Sequence, residues 1–174
     1  MALAFVLPAT MAESIARAVL WLFVINLGIA FGAGLYESRI VVPQWLSSVG
    51  GARYRWNAEA ARQANVGLKF WVYVTTVPLT LLTVTSLMVA WWIPEPARCW
   101  WLGAAAAALV DRALTFAYFI PTMLKLMRDK VYEESEAAST ARRWVNWGNV
   151  RHAATLAAWL AALKAFSLMG KYGG

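Results

Sequence analysis

Five ionisable residues that lie in or directly after the long apolar stretches of the chain could do chemistry, namely Glu37, Asp111, Arg112, Arg151 and His152. Charged groups are costly to bury in such stretches, so they usually mark a functional site. A carboxylate or an imidazole can exchange a proton with a bound molecule, and a guanidinium can stabilise a developing anion. Because histidine titrates near neutral pH, the sequence makes Glu37 and His152 the candidate catalytic acid–base pair.

The same residues also allow a purely structural interpretation. An ion pair between Asp111 and Arg151 would fix the order of two helices without any chemistry. Arg112 adjoins Asp111, but neighbouring residues on a helix do not face each other, so we expect each to have a partner on another helix. His152 is the only histidine, and it can equally be a packed interior residue. With no Glu-x-x-His or His-x-x-x-His spacing, the sequence predicts no metal site and points to no particular cofactor.

Composition decides the class of protein. Hydrophobic residues make up 61% of the 174 residues and charged residues 14%, whereas a soluble domain carries about 25% charged residues. A chain this small cannot hide so much apolar surface from water, but a lipid bilayer can solvate it. Four segments reach the ~20 apolar residues that a spanning helix needs, at residues 15–36, 70–93, 100–127 and 144–169. The sequence therefore predicts one all-α domain over residues 1–174, a polytopic membrane protein built as a four-helix transmembrane bundle.

Basic residues set the expected orientation. The net charge is +7, and the basic residues concentrate in loop 1 (residues 43–68) and loop 3 (residues 128–143). The positive-inside rule places both loops in the cytoplasm and both termini outside, in the plasma (inner) membrane. Charge placed in this way sets topology, so we expect the lipid bilayer and no nucleic acid as a partner. Loop 1 is long, and Asn57 is a good N-cap for a short helix over residues 58–63.

Polar side chains recur on one face of each predicted span, at the spacing of a helix. Because polar groups in hydrocarbon turn toward one another, we expect a polar cavity in the cytoplasmic half of the bundle, open toward loops 1 and 3. Helix packing alone can also produce such stripes, and Gly28, Gly32 and Gly34 are typical of close helix contacts. The candidate ligand-binding residues of the cavity are Tyr73, Asp111, Arg112, Tyr118, Asn149 and Arg151.

Several short motifs resemble one family of membrane proteins. They are Gly34-Leu-Tyr-Glu37, Val41-Val-Pro43-x-Trp45, Val66-Gly-Leu-Lys-Phe-Trp71, Thr75-Thr-Val-Pro78, Tyr118-Phe-Ile-Pro121-Thr122, and Trp144 with Val150-Arg151. Together they resemble the small four-helix proteins of the DUF1772 type, which include the anthrone-oxygenase-like proteins. The chain departs from the family's pattern in its fourth helix, where His152 stands at a position more often occupied by threonine.

The resemblance implies a chemistry, the oxidation of an anthrone to an anthraquinone without a classical cofactor. In that role Glu37 or His152 would be the base, and Arg112 or Arg151 would hold the oxyanion. The resemblance also implies an aromatic pocket lined by Tyr36, Tyr73, Tyr118 and Trp147.

Three functions remain open at this point. The first is a small oxidoreductase or oxygenase-like protein that binds a hydrophobic aromatic or isoprenoid molecule in the cavity. The second is a non-catalytic accessory subunit of a larger membrane complex, joined through tryptophan-rich surfaces. The third is a small transporter acting as a homo-oligomer, which the lack of inverted repeats and broken helices makes the weakest.

Overall fold

The computed structural model describes residues 9–50, 53–128 and 132–172. In these parts of the chain, four helices are long and apolar enough to cross a membrane. We call them spans 1 to 4, and they run over Met11–Trp45, Gly67–Ala90, Ala97–Leu126 and Glu134–Gly170. The predicted all-α, four-helix membrane fold is therefore confirmed. Each predicted segment lies within or largely overlaps one span.

The described residues form seven α-helices, three π-helical segments and one small hairpin, and the hairpin and α3 lie between spans 1 and 2. The α-helices are α1 (Ala9–Tyr36), α2 (Val42–Trp45), α3 (Ala58–Ala64), α4 (Val77–Ala90), α5 (Ala97–Leu114), α6 (Ile120–Leu126) and α7 (Glu134–Tyr172). The π-helical segments are Glu37–Val41, Gly67–Thr76 and Thr115–Phe119. The strands β1 (Leu46–Gly50) and β2 (Arg53–Trp56) pair in antiparallel fashion.

Each π-helical segment leads directly into an α-helix whose second residue is a proline. These prolines are Pro43, Pro78 and Pro121. A proline has no backbone N–H, and its ring clashes with the carbonyl of the residue four positions earlier. A π turn closes its hydrogen bonds over five residues instead of four, which widens the backbone ahead of the proline. Spans 1, 2 and 3 are therefore distorted in the same way, by a π-helical segment that precedes a proline.

The carbonyl group that Pro78 cannot bond is the one of Val74, four residues earlier. The side chain of Asn26 in span 1 donates a hydrogen bond to this carbonyl oxygen, with an N···O distance of 2.9 Å. Asn26 is buried at 8% exposure. Because a backbone oxygen without a partner is costly in hydrocarbon, this bond ties span 1 to span 2 where span 2 is distorted.

Loop 1 folds over one end of the bundle. We call residues 46–50 and 53–64 the cap, and the end of the bundle that they cover the cap end. The indole N–H of Trp56 donates to the carbonyl oxygen of Leu126 at 2.9 Å, and Arg62 donates to that of Met127 at 3.2 Å. The predicted short helix is present as α3, with the Asn57 side chain accepting from the N–H of Ala60 at 3.0 Å. The hairpin was not predicted from sequence.

The opposite end of the bundle is closely packed. Here α4 and α5 are joined by the turn at residues 91–96 and lie against each other. The core between the helices is rich in alanine, and Trp101 is fully buried in it. Small side chains let helix backbones approach closely, which is the main source of helix association in lipid. The bundle is thus closed at this end, and its interior space lies toward the cap.

The hydrogen bond from Asn26 leads to a stability prediction. Asn26→Ala leaves the Val74 oxygen without its side-chain donor, and we expect a loss of about 1 kcal/mol in the free energy of unfolding, a value within the range measured for interhelical bonds in lipid. Unfolding of the purified protein in mixed micelles with increasing SDS measures this value. Asn149→Ala is the matched control, because Asn149 is exposed and its replacement should cost less than about 0.5 kcal/mol. Equal losses in the two variants would contradict the role of Asn26.

Candidate functional site

Three charged side chains meet in the middle of the bundle. Asp111 lies in span 3, and its carboxylate accepts hydrogen bonds from Nε of Arg112 at 3.1 Å and from Nη2 of the same residue. Nε of Arg151 in span 4 lies 3.9 Å from the other carboxylate oxygen, Oδ1. The side chains of Asp111 and Arg112 are 4% and 9% exposed, and that of Arg151 is 15% exposed. The interhelical pair between Asp111 and Arg151 that the sequence suggested is present.

The expectation for Arg112 was wrong. Adjacent residues point in different directions from a helix, but the long Arg112 side chain curls back to the Asp111 carboxylate. In hydrocarbon there is no water to compete for either group, so the pair forms despite its poor starting geometry. Arg112 therefore reaches its counter-charge on its own helix.

Arg151 is held from a second direction by an aromatic ring. Its guanidinium carbon lies 4.2 Å from the centroid of the Phe119 ring, a distance that gives a favourable cation–π contact. Glu37 of span 1 lines the same cavity as Arg151. The guanidinium on span 4 thus contacts the carboxylate of span 3 and shares a cavity with the carboxylate of span 1.

Glu37 occupies the π turn of span 1 and is buried at 8% exposure. Its Oε1 accepts a hydrogen bond from the indole N–H of Trp71 in span 2, with an N···O distance of 2.9 Å. The bond fixes the orientation of the carboxylate across two spans. An acceptor held in this way is suited to receive a proton from a bound molecule, provided that the molecule reaches it.

His152 lies against the backbone of span 1. A Cβ atom built on Gly34 would fall 2.6 Å from Nε2 of His152, so only glycine leaves room for the imidazole there. Gly28 makes the same kind of contact with Trp159, whereas Gly32 has open space around it. Within the described residues, Nε2 of His152 and Oδ1 of Asp111 are buried without a hydrogen-bond partner.

A cavity of about 500 Å³ lies between the four spans and the cap. This volume falls within the range of small-molecule sites in proteins. The charged cluster of Asp111, Arg112 and Arg151 lines its deep part. Arg62 of the cap and Arg128, which follows span 3, line its outer part. Its walls include the aromatic side chains Trp45, Trp71, Phe119 and Trp144, with Thr75, Thr76, Thr115 and Thr155 between them.

The cavity brings together five of the eight residues singled out from the sequence. Glu37, Asp111, Arg112, Arg151 and His152 line it. Tyr73, Tyr118 and Asn149 do not. The expectation that Tyr73 and Asn149 face the interior is wrong, because Tyr73 is 74% exposed and Asn149 is also exposed. The ring of Tyr118 packs edge-on against Phe119, with centroids 5.2 Å apart.

Tyr73 in span 2 and Asn149 in span 4 face outward for different physical reasons. Tyr73 lies within the π-helical segment Gly67–Thr76, where the extra residue in each turn invalidates face counting at 3.6 residues per turn. Asn149 lies in regular α-helix, on the side opposite Arg151. The buried charge of Asp111 requires Arg151 inside, and that requirement turns Asn149 outward.

The aromatic lining also differs from what the resemblance implied. Tyr36 and Trp147 are exposed, at 62% and 50%, so neither forms the pocket. The tryptophans that do line it are Trp45, Trp71 and Trp144, and all three belong to the motifs that carried the resemblance. Their membership of these motifs was the available signal.

The predicted opening of the cavity toward loops 1 and 3 is covered in part. The cavity lies at the predicted end of the bundle, and the cap packs across part of that end, while Arg62 and Asn65 of loop 1 and the exposed Arg128 of loop 3 line the cavity. Trp45 and Ala61 are almost fully buried there and pack in one cluster with Met127 and Trp144. Apolar residues within loop 1 explain the difference, because they bury themselves against the bundle instead of extending into water.

In the described residues, no three His, Cys, Asp or Glu side chains lie close enough together to hold a metal ion. Comparisons of the chain with models of protein families, with curated proteins and with solved structures find no match. The site is therefore interpreted from its own geometry.

The charged cluster leads to a second stability prediction. Asp111→Asn leaves two buried guanidinium groups without their shared carboxylate, and breaking a buried pair in this way costs about 3 to 5 kcal/mol. We expect a loss of this size in the free energy of unfolding in micelles. Glu13→Gln is the control, because the exposed pair of Glu13 with Arg17 should contribute no more than about 1 kcal/mol. Combining Asp111→Leu with Arg151→Met should restore part of the loss, and no restoration would argue against their pairing.

Proposed function

We propose that the protein binds a hydrophobic aromatic or isoprenoid molecule in the cavity and acts on its polar head as a small oxidoreductase of the oxygenase-like kind. The observation that carries the proposal is the cavity itself, which combines aromatic walls with charged groups that are buried inside the membrane-spanning bundle. Apolar walls bury the body of such a molecule, and a few polar groups orient its head. Ionisable groups placed this deep in a membrane protein generally serve function.

The arrangement of charges supports proton transfer as the chemical step. A phenol or enol head placed beside Glu37 would lose its proton to the carboxylate, and the resulting anion would lie near Arg151. Preorganised cations that receive a developing anion are a large source of catalysis. An electron-rich anion of this kind is what reaction with dioxygen requires, in agreement with the resemblance to anthrone-oxygenase-like proteins. His152 is a second candidate base, although its Nε2 faces Gly34.

Orientation and cell location are part of the same proposal. The basic residues of loops 1 and 3 favour a cytoplasmic cap end and an outer location for both termini. In a bacterial cell this arrangement corresponds to the inner membrane. A protease added to the outside of intact cells tests the orientation, because a cytoplasmic cap is protected there and an outer cap is cleaved.

Native mass spectrometry of the protein released gently from its own membrane tests the binding proposal. We expect an additional mass of one aromatic or isoprenoid molecule, which collisional activation removes. A second chain in place of this molecule would favour an accessory subunit, which the exposed Trp91 and Trp92 at the uncapped end allow. Protein carrying only bulk phospholipid would contradict the binding proposal.

Glu37→Gln tests the proposed base. The amide keeps the size of the side chain and can still accept the Trp71 hydrogen bond, so the variant should remain folded and retain the bound molecule. Loss of a general base lowers turnover by on the order of 10² to 10⁴. Oxidation of 1,8-dihydroxyanthrone, followed by absorbance and corrected for the rate without protein, measures it. Tyr73→Phe is the control, because Tyr73 lies outside the cavity. Unchanged turnover in Glu37→Gln would exclude Glu37 as the base.

A further inference from the structure

Spans 2 and 3 separate as they approach the cap. At the far end α4 packs against α5. Beyond Pro78 and Pro121, the π-helical segment Gly67–Thr76 packs along span 1, whereas α6 packs against α7. Near the cap, span 2 therefore packs toward span 1, and span 3 packs toward span 4. A gap between spans 2 and 3 follows from these contacts.

The residues at this gap face both the cavity and the outside of the bundle. Leu68 and Leu124 line the cavity, yet they are 62% and 49% exposed. Gly67 also lines the cavity and is exposed, and a Cβ atom placed on it would meet nothing within 4 Å. Side chains that belong to a cavity and to the outer surface at once mark the edge of an opening.

The side of the opening that lies between spans 2 and 3 is apolar, and the exposed Arg128 lines the cavity at its cap end. Val72 and Ile120 continue the lining inward from Leu68 and Leu124. The cap covers part of the end of the bundle, through the hydrogen bonds of Trp56 and Arg62 to the end of span 3. The apolar side between spans 2 and 3 matches lipid chains and lacks the polar groups that would hold water in a channel.

We propose that the gap between Gly67–Val72 and Ile120–Leu124 is a lateral portal, through which molecules dissolved in the bilayer reach the charged cluster. The portal specifies the ligand class further, as a molecule that partitions into the membrane and enters from it instead of from water. Its purpose rests on the proposed binding function. Its existence can be tested without any ligand.

The test uses one cysteine inside the cavity. Cys99→Ser removes the only native cysteine, and Thr76→Cys introduces a thiol of similar size at a buried, cavity-lining position. The protein is placed in lipid nanodiscs, which expose both membrane faces. It is then treated with N-(1-pyrenyl)maleimide, which dissolves in the bilayer, or with a sulfonated maleimide, which stays in water. We expect the lipid-dissolved reagent to label the thiol much faster.

Blocking the portal should remove this difference. Gly67→Trp fills the open space at the rim, and we expect at least about a tenfold decrease in labelling by the pyrenyl reagent, a change that an added barrier of about 1.4 kcal/mol produces. Gly103→Trp is the matched control, because Gly103 is exposed, has no neighbour within 4 Å of a built Cβ and does not line the cavity. Leu124→Trp, with Leu109→Trp as its control, repeats the comparison should the glycine variants fold poorly.

Each outcome separates the portal from the binding function. Equal labelling rates in Gly67→Trp and Gly103→Trp, or faster labelling by the sulfonated reagent, would overturn the portal. A portal confirmed by labelling in a protein that carries no small molecule would leave the opening in place and remove the proposed function. A bound molecule together with labelling rates that the rim variants do not change would keep the proposed function and overturn the portal.

Discussion

The shared carboxylate of Asp111 is the interaction on which the arrangement of the bundle depends. It sits at the middle of span 3, where an unpaired charge would cost at least ~2.5 kcal/mol even on insertion scales. Arg112 pairs with it from the same helix, and Arg151 pairs with it from span 4. That second contact sets the rotation of α7, which brings His152 against Gly34 and turns Asn149 outward. Removing the carboxylate would therefore disturb the site and the helix packing together.

The three prolines give this cluster its space. A bundle of regular α-helices with small residues at its contacts would close along its whole length, as α4 and α5 do at the far end. Each π-helical segment before a proline widens one span in the half nearer the cap. The carbonyl that Pro78 leaves without its usual donor is bonded by Asn26, so the distortion of span 2 is stabilised by span 1. Cavity and distortion thus have one cause, which agrees with the frequent occurrence of π turns at functional sites.

The sequence predicted the spans, the cluster and the location of the cavity, because these follow from composition and from the cost of charge in hydrocarbon. It failed where the backbone leaves the regular helix, and also at Arg112 and Asn149, which lie in regular helix but whose orientation depends on the buried carboxylate of Asp111. Tyr73 was assigned to the interior by counting through a segment that is not α-helical, whereas Trp71 in that same segment holds Glu37. The hairpin β1–β2 was missed, since a short strand pair within one loop has little periodicity to detect. The cap itself depends on tertiary contacts of Trp45 and Trp56, which no local pattern reports.

The balance of charge in the cavity bears on the kind of head group that it accepts. With both acids ionised, Glu37 and Asp111 offset Arg112 and Arg151, so the deep part of the cavity carries no net formal charge when His152 is neutral. A permanently ionised head would add an uncompensated charge at mid-membrane depth, which is costly. A neutral phenol or carbonyl adds none, and transfer of its proton to Glu37 moves charge within the cluster without changing the total. The new anion then lies beside Arg151, whose guanidinium already contacts Asp111 and the ring of Phe119. A neutral molecule is also the form that dissolves in the bilayer, so the charge balance of the site and a lateral route of entry select the same class of ligand.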